Sequence, residues 1–85
     1  MMVSEDKLLA RILGGLSDAN IGFDELRGLL KAHNFNERIK GSHHIFVREG
    51  VSELVNLQRD GSKAKPYQVR QVRTVILKYQ LAKEE

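Results

Sequence analysis

The sequence predicts an α+β fold: a three-stranded antiparallel sheet with helices on one face and an extra N-terminal helix, in the order α-α-β-β-β-α. Three observations predict it. Apolar residues recur at helical spacing from Leu8 to Leu30. The period then changes to two, and the tight-turn pairs Gly41-Ser42 and Glu49-Gly50 follow. Helical spacing returns after Pro66.

Each element has its own reason. Ser4 suits an N-cap, and Leu8, Leu9, Ile12, Leu13 and Leu16 form one stripe over Ser4 to Leu16, with Gly14-Gly15 fraying or ending the helix. Ser17-Asp18-Ala19-Asn20 is turn chemistry. The second helix starts near Phe23. With Gly22 as N-cap, Glu25 takes the third helical position, and Ile21 and Leu26 form a hydrophobic staple. Its buried stripe is Phe23, Leu26, Leu29 and Leu30. Gly28 costs it about 1 kcal/mol relative to Ala, and His33-Asn34 ends it. Phe35 to Lys40, His43 to Glu49 and Val51 to Leu57 read as strands, and Arg59 to Lys65 as a loop. The last helix runs from Pro66 to about Leu81, burying Val69, Val72, Ile76 and Tyr79.

A chain of 85 residues makes one domain with a modest core. We divide it into an N-terminal helical extension over 1–20 and a compact unit over 21–85. Hydrophobic residues at 41% and charged residues at 29% fit a globular chain rather than a disordered one. The absence of cysteine removes disulfides and thiolate metal sites and suits a reducing cytoplasm. No apolar run is long enough to span a membrane, and Glu5 and Asp6 stand where a secretory signal is basic and then apolar. The formal charge is +3. Lys63, Lys65, Arg70, Arg73, Lys78 and Lys83 fall in a segment without acids, a distribution that suits a phosphate-bearing partner.

Strand register makes the reading more specific. A two-residue turn at Gly41-Ser42 sets Lys40 opposite His43 and Arg38 opposite Ile45. A second at Glu49-Gly50 sets Val47 opposite Ser52, Ile45 opposite Leu54 and His43 opposite Asn56. Ile39, Phe46, Val55 and Leu57 then face the core, while Arg38, Lys40, His43 and Asn56 gather on the open face. A one-residue slip reverses both outcomes together. His44 lands beside the core and is expected near an edge or helix end with a hydrogen-bond partner.

The stretch Lys40-Gly41-Ser42-His43-His44-Ile45-Phe46 resembles the signature of the HicA toxin family. The helix before it and the strand, loop and basic helix after it follow that family's order, over roughly residues 21–80. The resemblance implies a double-stranded-RNA-binding-like fold and cleavage of mRNA, independent of the ribosome, by the histidine after Gly-Ser, here His43. It also implies a HicB-type antitoxin protein as partner. Two departures stand out. About 20 residues are added at the N-terminus. Where many members carry a histidine after the third strand, this chain reads Leu57-Gln58-Arg59, so no second catalytic group is assigned.

The chemistry fits the residues. RNA carries its own nucleophile, the 2′-hydroxyl, and a histidine suits transfer of its proton because an unperturbed imidazole titrates near 6.5. Lys40 is placed to stabilise charge developing on the phosphate. Lys40, Ser42, Lys63, Lys65 and Arg70 are the candidate RNA contacts; Lys63 and Lys65 precede the final helix and so sit beside its positive dipole end, which favours phosphate. Arg38 and Asn56 are candidate supports. Arg73 and Lys78 are expected as plain surface charges, and His33 as a helix C-terminal residue. Adjacent strand histidines point to opposite faces, and no carboxylate cluster accompanies them, so neither a metal site nor a cofactor is expected. Phe23, Phe35 and Phe46 suit the core, which leaves no evident aromatic stacking platform. A non-catalytic double-stranded-RNA-binding module of the same fold is the alternative, and a protein-interaction domain with an acidic partner is a third.

Overall fold

The computed structural model describes residues 3–83, with side chains from residue 6 to 82. Its elements are α1 (Val3–Gly14), α2 (Phe23–Ala32), β1 (Asn36–Lys40), β2 (His43–Arg48), β3 (Val51–Leu57), β4 (Arg59–Asp60), β5 (Lys63–Ala64) and α3 (Pro66–Lys78), with short 3-10 turns at Asp18–Asn20 and Leu81–Lys83. The chain forms a small α+β fold whose main sheet is antiparallel in the order β1-β2-β3. The helices lie over one face of that sheet. Leu8 and Ile12 of α1, Phe23, Leu26, Leu29 and Leu30 of α2, Phe46, Val55 and Leu57 of the sheet, and Val69, Val72, Val75 and Ile76 of α3 pack into one core.

Local chemistry sets the helix ends. The Gly22 N–H donates to Glu25 Oε1 at 3.0 Å, and a Cβ at residue 22 would come within 2.7 Å of that oxygen. Ile21 and Leu26 are both buried, which completes the staple. At the other end of α2, Asn34 takes a left-handed φ of 70°. The Phe35 N–H reaches back to the Leu30 carbonyl and the Asn34 N–H to that of Lys31, so freed carbonyls find donors. His33 donates from Nδ1 to the Leu29 carbonyl at 3.0 Å, a helix C-terminal role as expected. The Ser4 cap lies outside the described side chains.

Three expectations about single side chains need correction. Leu16 is 95% exposed, because Gly15 at φ 75° ends the helix before the stripe can reach it. Ile39 is 57% exposed: β1 is an edge strand, and its covered position goes to Glu37 rather than to the residue at the hairpin end. Arg73 is not a plain surface charge. It donates to Asp18 at 2.9 and 3.2 Å and to the Ile12 carbonyl at 3.0 Å, tying α3 to the end of α1 and the turn that follows. That contact holds the Asp18 carboxyl below its ordinary range. Lys78 does lie at the surface, paired with Glu53 at 2.8 Å.

The stretch expected as a loop is a small hairpin, β4 against β5, turned at Gly61 with φ 64°. It is stitched to the start of α2. The Phe23 N–H donates to the Ser62 carbonyl, and the Ala64 N–H to the Ile21 carbonyl, both at 2.9 Å.

Candidate active site

The β1–β2 hairpin has the expected register: Lys40 opposes His43, Ile39 opposes His44 and Arg38 opposes Ile45. Gly41 sits at φ 60°, the conformation that a glycine-first two-residue turn demands. The β2–β3 register differs from expectation. Arg48 opposes Val51 as the turn dictates, but beyond it Phe46 opposes Val55, Ile45 opposes Asn56 and His44 opposes Leu57. Ser52, Glu53 and Leu54 bulge against the single residue Val47. The pairing therefore shifts by two places, which leaves every side chain on its expected face.

Arg38, Lys40, His43 and Asn56 are all exposed on the uncovered face. His43 Nδ1 lies 3.3 Å from Asn56 Oδ1, now its diagonal neighbour. An amide oxygen only accepts, so Nδ1 is the donor in this contact and Nε2 is the ring nitrogen that Asn56 does not engage. One residue missed as a candidate joins them: Gln58 donates from Nε2 to Ser42 Oγ at 3.3 Å. Gln58 is itself held by the buried amide of Gln68, which donates to its carbonyl at 3.2 Å and accepts from its N–H at 3.1 Å. The departure Leu57-Gln58-Arg59 from the family pattern was the available clue.

The covered face has the opposite electrostatics. Glu37 receives Arg27 at 2.7 and 2.9 Å and His44 Nδ1 at 2.7 Å, with Lys31 at 3.5 Å. The Arg27 guanidinium is the main cause that brings the Glu37 carboxyl down to about 2. His44 also meets the Phe23 ring edge-on at 4.9 Å, so it is a structural histidine with the partner expected of it. Arg59 lies 4.4 Å over the same ring and pairs with Asp24.

Asp18, Asp24, Glu37 and Glu53 thus each hold a cation. The side chains of Arg38 and Lys40 have no hydrogen bond or ion pair among the described residues. The side chains of Lys63 and Lys65 are likewise without one among the described residues, and they stand on β5 and at the start of α3. Arg70 is one turn into α3, and its charge adds, after that of Arg73, to the lowering of the Asp18 carboxyl. The open sheet face therefore gathers His43, Lys40, Asn56 and Arg38, with Ser42 in the turn beside them, while Lys63, Lys65 and Arg70 belong to β5 and the start of α3, whose Gln68 reaches Ser42 through Gln58.

Among the described residues, no three His, Cys, Asp or Glu side chains come together as a metal site, and no helix is long and apolar enough to cross a membrane. Comparison with protein-family models, curated proteins and solved structures finds no match.

Proposed function

We propose that this chain is a HicA-type toxin: a cytoplasmic endoribonuclease of double-stranded-RNA-binding-like fold that cuts mRNA, with His43 as general acid/base and a HicB-type antitoxin as its protein partner. The observation that carries this reading is an exposed imidazole at a hairpin rim, across from Lys40 and bonded to Asn56, on a face whose cations have no acidic partner among the described residues.

The chemistry follows from that arrangement. His43 Nε2 takes the proton from a ribose 2′-hydroxyl, and the freed oxygen attacks the adjacent phosphorus. The bond to the 5′-oxygen breaks, that oxygen takes a proton from water, and the products are a 2′,3′-cyclic phosphate and a 5′-hydroxyl. Lys40 stabilises the charge that gathers on the phosphate oxygens. Asn56 is a positioning residue that fixes which ring nitrogen is basic. No step calls for a metal.

Induced expression of the wild-type and His43→Ala proteins tests this, with growth and RNA integrity read together. Wild type should stop growth and fragment mRNA. His43→Ala should do neither while still binding RNA. Wild-type protein that binds RNA and leaves it whole would instead support the non-catalytic RNA-binding module.

A further inference from the structure

Beside His43 the open face is not flat. Arg38, Ile45, Val47 and Leu54 line a depression of about 210 Å³. Ile45 lies two residues along β2 from His43 on the same face, about 7 Å away at strand spacing. Leu54 and Val47 are 52% and 44% exposed, and both sit in the bulged stretch where three β3 residues face one of β2. Ile45, Val47 and Leu54 form an aliphatic floor there, and Arg38 borders it with a guanidinium that has no partner among the described residues.

We propose that this depression is a subsite for one unstacked nucleobase of a single-stranded RNA, next to the phosphate held at His43. The proposal rests on the RNA-cleaving reading and deepens it, by naming the strand state of the substrate. Size, charge and shape argue for it. The volume falls below the roughly 300–1,000 Å³ of pockets that enclose drug-sized ligands, so it takes one small flat group. A protein partner in a stable complex covers about 800 Å² on each side, far more than these side chains present. The lining carries a cation and no acid, which suits a ligand attached to phosphate. A guanidinium plane stacks on a base face, and an aliphatic floor packs beneath it. In a duplex both faces of a base are already stacked, so only an unpaired strand can enter. The lining side chains of the floor offer no hydrogen-bonding group, so the subsite grips a base by its face and discriminates weakly among bases.

The test uses a short 2′-O-methyl oligoribonucleotide, which lacks the nucleophile and stays whole, and a matched oligomer of the same backbone without bases. Binding of each to the full chain is followed by fluorescence anisotropy. The bases should tighten binding by about tenfold, the effect of one stacked base. Leu54→Ser should bring that ratio close to one and leave the abasic oligomer's affinity unchanged. Equal binding of both oligomers by wild type, binding of neither, or an equal loss on both in Leu54→Ser overturns the subsite. A wild-type dimer that Leu54→Ser dissociates, with the ratio unchanged, assigns the depression to a second copy and also overturns it. Wild type that binds with the tenfold ratio but never cuts unmodified RNA rejects the nuclease reading alone.

Discussion

His43 and His44 are neighbours in the chain and stand on opposite faces of one sheet, with opposite surroundings. His44 is held by a buried carboxylate at 2.7 Å and an aromatic edge. His43 has one long bond to a neutral amide and is otherwise exposed. The same contrast runs across the whole sheet. On the covered side Glu37 meets Arg27, Lys31 and His44, whereas no described residue neutralises Arg38 and Lys40 on the open side. A polar group satisfied within the fold contributes to stability. One held in place but unsatisfied is available to a ligand.

That contrast breaks first if Glu37 is not structural. Glu37→Gln should lower stability by about 3 kcal/mol, the low end for breaking a buried pair, as read by urea unfolding at neutral pH. The pH dependence follows from the depressed carboxyl. Its stabilising contribution is whole above the ordinary carboxylate value of 4.5 and is lost as pH falls toward about 2. Between those limits wild type should lose stability more steeply than Glu37→Gln. His44→Ala, which leaves Glu37 short of one donor, should cost about 2 kcal/mol in the same measurement. Gly28→Ala sharpens the scale at its small end. Residue 28 lies within α2 at a negative φ, and a Cβ there would meet nothing within 4 Å, so alanine should raise stability by about 1 kcal/mol. His43→Ala, by contrast, should move stability by less than about 0.5 kcal/mol, as for other exposed positions.

Most of the fold was legible because its signals are local. The staple at Ile21 and Leu26, the stop at His33-Asn34 and the glycine-first turn at Gly41 each follow from a few adjacent residues. The hairpin register followed from that turn, and with it the meeting of Lys40 and His43. What stayed hidden depends on partners distant in sequence. Glu37 displaces an aliphatic residue from the covered edge only because Arg27 and His44 await it. Arg73 reaches Asp18, 55 positions away. The β2–β3 bulge has no glycine to announce it, so the reading without it places His43 and Asn56 together as direct rather than diagonal neighbours, and misses that Ser52, Glu53 and Leu54 all face Val47.

The most direct measurement is the rate at which purified wild-type, His43→Ala and His44→Ala proteins cut one unstructured RNA in the presence of a chelator. Loss of an acid/base group costs about 10²–10⁴-fold, so His43→Ala should fall by at least about 100-fold with its melting temperature unchanged. His44→Ala should melt earlier and, while folded, cut at close to the wild-type rate. Cutting by His43→Ala at the wild-type rate would contradict the account.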